Sequence, residues 1–194
     1  MSDHHTRTPS ARIGADVREA ALGLLGDEGP DHFTVRAIAA RAGVAPMALY
    51  NHFDGKNGVL EAIWIEGFEL LRDCVSLRRG ASLEDLHDVG LAYRRFALEH
   101  RAHYTVMFMH RFVGFEPSLE ASHVAARAFE ALVNQVERAQ DDGHFARRRA
   151  GDVAQMLWAT CHGYVSLEIL DVNFAHAAAE TYRDLIDGLL RGLK

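Results

Sequence analysis

The sequence has 194 residues, 48% hydrophobic and 25% charged, with only four prolines; such a chain buries a real core and is neither disordered, collagen-like nor built around a membrane span. A formal net charge of −6 excludes a general nucleic-acid coat protein, so any DNA contact has to be local and geometric.

The first residues, MSDHHTRTPSAR, lack the apolar core of a signal peptide, and the longest apolar runs are broken by charge, as at Ile63-Trp64-Ile65-Glu66; a cytoplasmic protein with no membrane contact is expected. Cys74 and Cys161 have neither metal-ligand spacing nor a disulfide framework, and each reads as a small hydrophobe.

From Ile13 the apolar positions Val17, Ala20, Ala21, Leu24 and Leu25 recur at helical spacing, and Gly26, Gly29 and Pro30 stop the pattern. Thr34 is the expected N-cap of a short second helix reaching about Arg41, with Gly43 closing it. Pro46 fits the first position of a third helix, where its missing N–H costs nothing. A longer fourth helix is expected from about Lys56 to Val75, ended by Arg78-Arg79-Gly80. Further helices are expected at about Leu83–His100, Ala102–Met109, Pro117–Gln140, Asp152–Leu170 and Ala177–Leu193, separated by turn residues such as Asp142-Gly143 and Asp171–Asn173. No run alternates with period two, so the chain is predicted to be all-α with about nine helices.

Two short helices joined through Ala42-Gly43-Val44 match the helix-turn-helix, whose second helix enters the major groove while the first crosses the backbone. Ala39 and Gly43 permit close approach, and Ile38, Val44 and Leu49 supply an internal apolar wedge. A packing helical hairpin has the same pattern. Residues 1–60 carry six basic against seven acidic residues, so charge does not decide between the two readings.

Read on to Leu60, the stretch GVAPMALYNHFDGKNGVL resembles the DNA-binding signature of the TetR family of bacterial regulators, and the resemblance covers about residues 13–65. It implies that Tyr50, His52 and Lys56 grip phosphates, and that Arg36, Pro46, Met47, Ala48 and Asn51 lie where relatives touch bases or backbone. The chemistry fits these positions. An arginine opening helix two can reach guanine O6 and N7, Met47 and Ala48 suit a thymine methyl, and Asn51 either pairs with adenine or holds a phosphate. Nineteen of the twenty-one basic residues are arginine, and the one interior lysine, Lys56, falls where the family's phosphate-contacting lysine lies. Ala45 departs from the pattern, standing where relatives often carry a capping Ser or Thr.

The same resemblance implies a C-terminal regulatory lobe. FALEHRAHYTVMF is similar to a stretch found in one branch of the family, and MLWATCHGYVSL carries the W-x-x-x-H-G arrangement of that branch through Trp158, His162 and Gly163. Aromatic density suggests an apolar cavity for a small molecule, with Phe68, Tyr93, Tyr104, Phe108, Phe129 and Trp158 as candidate lining residues; core packing is the competing use of each. His162, one turn after Trp158, is either the polar group of that cavity or a satisfied core histidine. His100 and His103 stand three apart, but no third ligand has a motif spacing, so no metal site is expected. No catalytic motif such as GxSxG, HExxH or GxGxxG is present.

These observations lead to a division into a helix-turn-helix DNA-binding domain over residues 1–55, with residues 1–10 as a tail, and a ligand-binding and dimerisation domain over 56–194. The expected protein is a homodimeric repressor, not an enzyme and without cofactor, released from operator DNA by a small apolar or amphipathic effector that shifts helix four. Met156, Tyr164, Leu167, Tyr182, Leu185, Ile186 and Leu189 are the expected joint between copies. A helical small-molecule-binding protein that no longer reads DNA is the alternative.

Overall fold

The computed structural model describes residues 10–76 and 82–194, with side chains from Arg12 onward. The expected tail, apart from the backbone of Ser10, and the Arg78-Arg79-Gly80 helix stop lie outside the described residues. Among the described residues there are nine α-helices and no strand, an all-α fold: α1 Ser10–Asp27, α2 Val35–Ala42, α3 Pro46–Phe53, α4 Gly55–Ser76, α5 Leu83–Glu99, α6 Arg101–Tyr104, α7 Leu119–Asp141, α8 Ala150–Ile169 and α9 Ala178–Gly192. A 3-10 turn, Pro30–His32, follows α1, and α6 runs on as a wider π turn over Thr105–Met109. The sequence pattern reads residues 102–109 as one helix; local apolar spacing does not distinguish the two windings.

The chain divides into two compact units: residues 1–66 with 102–118, and residues 67–101 with 119–194. In the first, Val17, Ala21 and Leu24 of α1 pack with Ile38 and Ala39 of α2, Leu49 of α3, and Val59, Leu60 and Ile63 of α4 around one core. Val106 and Phe112 come back from the later segment to join it, and Phe112 meets Phe33 edge-on at 5.6 Å. In the second, α5, α7, α8 and α9 bury Phe96, Val124, Val136, Leu157, Val165 and Ile186. No helix of the described residues is long and apolar enough to cross a membrane.

The caps explain the short elements. Thr34 is extended and its side chain accepts a hydrogen bond from the Ala37 N–H, opening α2. Gly43 ends α2 in the left-handed region at φ 66°, with its N–H on the carbonyls of Ala39 and Ala40, a conformation that costs glycine nothing. Ala45 caps α3 without a side-chain hydrogen bond and Pro46 opens the helix, as its composition requires.

Candidate functional site

Helix α3 fully buries only Leu49, with Phe53 packed partly buried against the same core, and the rest of its surface faces outward. Pro46, Met47, Tyr50 and Asn51 are exposed, with Ala48 and His52 half-buried. Met47 at 64% and Tyr50 at 55% exposure are large side chains held in water with no core function. Arg36, on the first turn of α2, is also exposed, and Lys56, on the first turn of α4, is half-buried. Thus the expected DNA-contacting residues sit on three consecutive short stretches of the first unit. Arg41, by contrast, is held by Asp27 and Glu28 at the end of α1, and its guanidinium lies over Gly23. Arg18 faces Glu66 at 3.8 Å. These two arginines staple helices within the unit.

The second unit contains an apolar cavity of about 140 Å³. Phe68, Leu71 and Val75 of α4, Tyr93 of α5, Ala125, Ala128, Phe129 and Leu132 of α7, and Trp158 of α8 line it. Its polar atoms are tied to one another. The Trp158 Nε1–H donates to the Tyr93 hydroxyl at 3.2 Å, Tyr93 Oη lies 3.2 Å from His162 Nδ1, and His162 Nε2 lies 3.5 Å from Ser166 Oγ. Burial pushes the His162 imidazole below its usual value near 6.5, so it is neutral at physiological pH. Of the candidate ligand-binding residues, Phe68, Tyr93, Phe129 and Trp158 line this cavity, while His162 does not line it and meets it only through the Tyr93 hydroxyl. Tyr104 and Phe108 do not line this cavity. Both belong to the first unit, where their rings pack edge-on at 5.0 Å, because the chain returns there after α5.

The apolar face expected between copies resolves into two. Tyr182 and Ile186 are fully buried within their own chain, and the Tyr182 hydroxyl donates to the Gly90 carbonyl at 2.8 Å. Assigning these two to a joint is therefore corrected: on an amphipathic helix the deepest stripe serves the protomer's own core. Outward on α8 lie Met156 and Leu167, at 41% and 46% exposure, and outward on α9 lies Leu185, at 38%. Tyr164 and Leu189 are half-buried. Among the described residues no group of three or more His, Cys, Asp or Glu is placed to hold a metal ion.

Comparison with known proteins fits this arrangement. The profile described as bacterial regulatory proteins, tetR family, matches residues 17–63, and that described as tetracyclin repressor-like, C-terminal domain, matches residues 86–193. The chain belongs to the TetR family. It is thus a DNA-binding transcriptional regulator of the helix-turn-helix kind. It is 22% identical over 187 residues to the uncharacterized HTH-type transcriptional regulator YobS of Bacillus subtilis (strain 168), covering 93% of this chain and 90% of YobS. Among solved structures, a protein of unknown function from Rhodococcus sp. RHA1 superposes with a TM-score of 0.81 at 22% identity, over 100% of this chain and 99% of that one. The TetR family transcriptional regulator PfmR from Thermus thermophilus does so with a TM-score of 0.73 at 21% identity, over 92% and 98% of the two chains.

Two features of this TetR family member escape a reading by pattern. A Cβ on Gly58 would lie 1.2 Å from the Phe53 carbonyl oxygen, so the α3–α4 turn closes only over a glycine. Its sole signal is a glycine inside an otherwise helical run. The second is a strap. Asn57 Nδ2–H donates to the Gly114 carbonyl at 2.7 Å, the Ser118 hydroxyl reaches Glu61, and Trp64 meets Phe115 edge-on at 6.3 Å. Asn57, Glu61 and Trp64 form one stripe of α4, beginning one residue after Lys56.

Proposed function

We propose that this TetR family regulator is a homodimeric repressor that binds operator DNA through Arg36, the exposed face of α3 and Lys56, and that a small apolar molecule in the second unit's cavity releases it. The observation that carries this reading is the pairing, in one chain, of a helix anchored by Leu49 and Phe53 that leaves its other face exposed with a ready-formed apolar cavity in a separate compact unit. Arg36 reads a base; Tyr50, His52 and Lys56 hold phosphates; Pro46, Met47, Ala48 and Asn51 complete the contact. We assign DNA reading to residues 1–55 and regulation to residues 56–194, a functional division that falls inside the first compact unit, whose first segment runs to residue 66, and Trp158, His162 and Gly163 support membership of the W-x-x-x-H-G branch. It works in the cytoplasm and carries no catalytic activity.

The effector acts through different affinities for the DNA-bound and released forms, and no other kind of coupling is required. Selection of bound sequences from a random DNA pool tests the first half. A recovered motif of two half-sites about one helical turn apart, or a multiple of it, is expected; recovery of no motif would leave only a ligand-binding protein.

A further inference from the structure

The chemistry of the cavity goes beyond its existence. Among the described residues none that lines it is ionisable except Tyr93. The groups around Tyr93 are neutral or already engaged. The hydroxyl itself is bonded to Trp158 and His162, and burial keeps His162 uncharged. A smaller void, sharing Val75, Tyr93, Leu132 and Trp158 with the cavity, is lined by Cys161, whose thiol burial pushes up to about 11, so it too carries no charge. Arg94, next in sequence to Tyr93, is held bidentately by Glu168 at 2.7 Å and 2.7 Å. A carboxylate or ammonium drawn fully into this space finds no counter-ion among the described lining residues, and an unpaired buried ion is strongly disfavoured.

Size narrows the class further. An apolar cavity of roughly 150 Å³ stays dry and accepts benzene, and this one measures about 140 Å³. Phe129 and Trp158, whose rings are 5.9 Å apart, give it aromatic walls. We infer that the cavity takes an uncharged single-ring aromatic compound, bearing at most one small neutral polar group toward Tyr93 and Trp158, and that it rejects organic anions and cations of the same size. As an account of the effector, this inference rests on the proposed role of the cavity in releasing DNA.

The test is isothermal titration of the full chain at neutral pH with toluene and phenol, against benzoate, benzylammonium and decanoate. Toluene and phenol are expected to bind about a hundredfold or more tightly than benzoate or benzylammonium, and Ala128→Leu, which fills the cavity, is expected to abolish that binding. The comparison on the unaltered chain stands by itself should the variant fold poorly. Benzoate or decanoate binding as tightly as toluene overturns the inference, as does unchanged toluene binding to a folded Ala128→Leu, or no binding by any of the five probes. Repeating the titrations on the operator complex separates the two readings. Toluene that binds and leaves the operator occupied refutes the cavity's role in release but upholds the ligand class. Decanoate that binds and frees the operator does the reverse.

Discussion

The division of labour among side chains in the reading unit rests on geometry at individual residues. Arg36 projects from the first turn of α2, exposed, while Arg41 on the last turn is neutralised by Asp27 and Glu28. Replacing Arg36 with alanine is expected to cost about 1–3 kcal/mol per half-site on the preferred operator and much less on a mismatched one; Lys56→Ala should weaken both alike. Binding titrations on matched and mismatched DNA decide it, and equal weakening by Arg36→Ala would remove its base-reading role. Gly58 makes a sharper demand. Its hydrogen faces the Phe53 carbonyl at a distance no Cβ tolerates, so Gly58→Ala should destabilise the protein by about 3 kcal/mol, measured by urea unfolding. His162 gives a pH signature. Its folded value lies below 6.5 because burial disfavours the charged ring, so above about 6.5 it contributes nothing. As pH falls through that value the unfolded chain takes up the proton first and stability drops, levelling once the folded value is passed. The stability difference between the natural chain and His162→Gln should therefore shift against the natural chain below pH 6.5 and stay flat above it.

Among the elements, the short helices are legible because each carries its own stop and start: Thr34, Gly43 and Pro46 act through their immediate neighbours. The α6 region is not. Its apolar spacing is helical, but whether residues 102–118 pack with the first or the second unit is settled by distant partners such as Phe33 and Trp64, which no local period encodes. Pattern alone draws Tyr104 and Phe108 toward the cavity for that reason, whereas Phe68, Tyr93, Phe129 and Trp158 are legible because each lies on a face that has to turn inward. The strap also has a consequence for DNA binding. Asn57 fastens the first turn of α4 to the Gly114 carbonyl, and Lys56 is its neighbour. Asn57→Ala should lower operator affinity several-fold on all sequences equally, through a less fixed lysine, while the size of the protein in solution is unchanged. Loss of base discrimination instead would show that Asn57 acts through α3.

At the scale of the whole molecule, affinity is a question of valency. One helix-turn-helix makes few contacts, and the first sixty residues have no excess of positive charge, so a single half-site binds weakly. Joining two reading units makes the second contact effectively intramolecular and raises affinity by orders of magnitude with no new contact. The surface that joins them in the proposed homodimer has to be apolar and free of duties in the protomer's own core. Burial separates those duties along α9: Ile186 is 1% exposed and Leu185, its neighbour, 38%. With Met156 and Leu167 on α8, Leu185 is exposed on the two helices proposed to pair between copies. A glutamate at the two adjacent positions should therefore fail in different ways. Ile186→Glu buries a charge without a partner and should unfold the protomer. Leu185→Glu should leave a folded monomer with near-natural helicity, sedimenting at half the mass of the parent and binding a full operator at least about a hundredfold more weakly at physiological salt. Ultracentrifugation beside an operator titration reads both quantities, and a Leu185→Glu protein that is monomeric yet binds as tightly as the parent would overturn the account of DNA binding by paired chains.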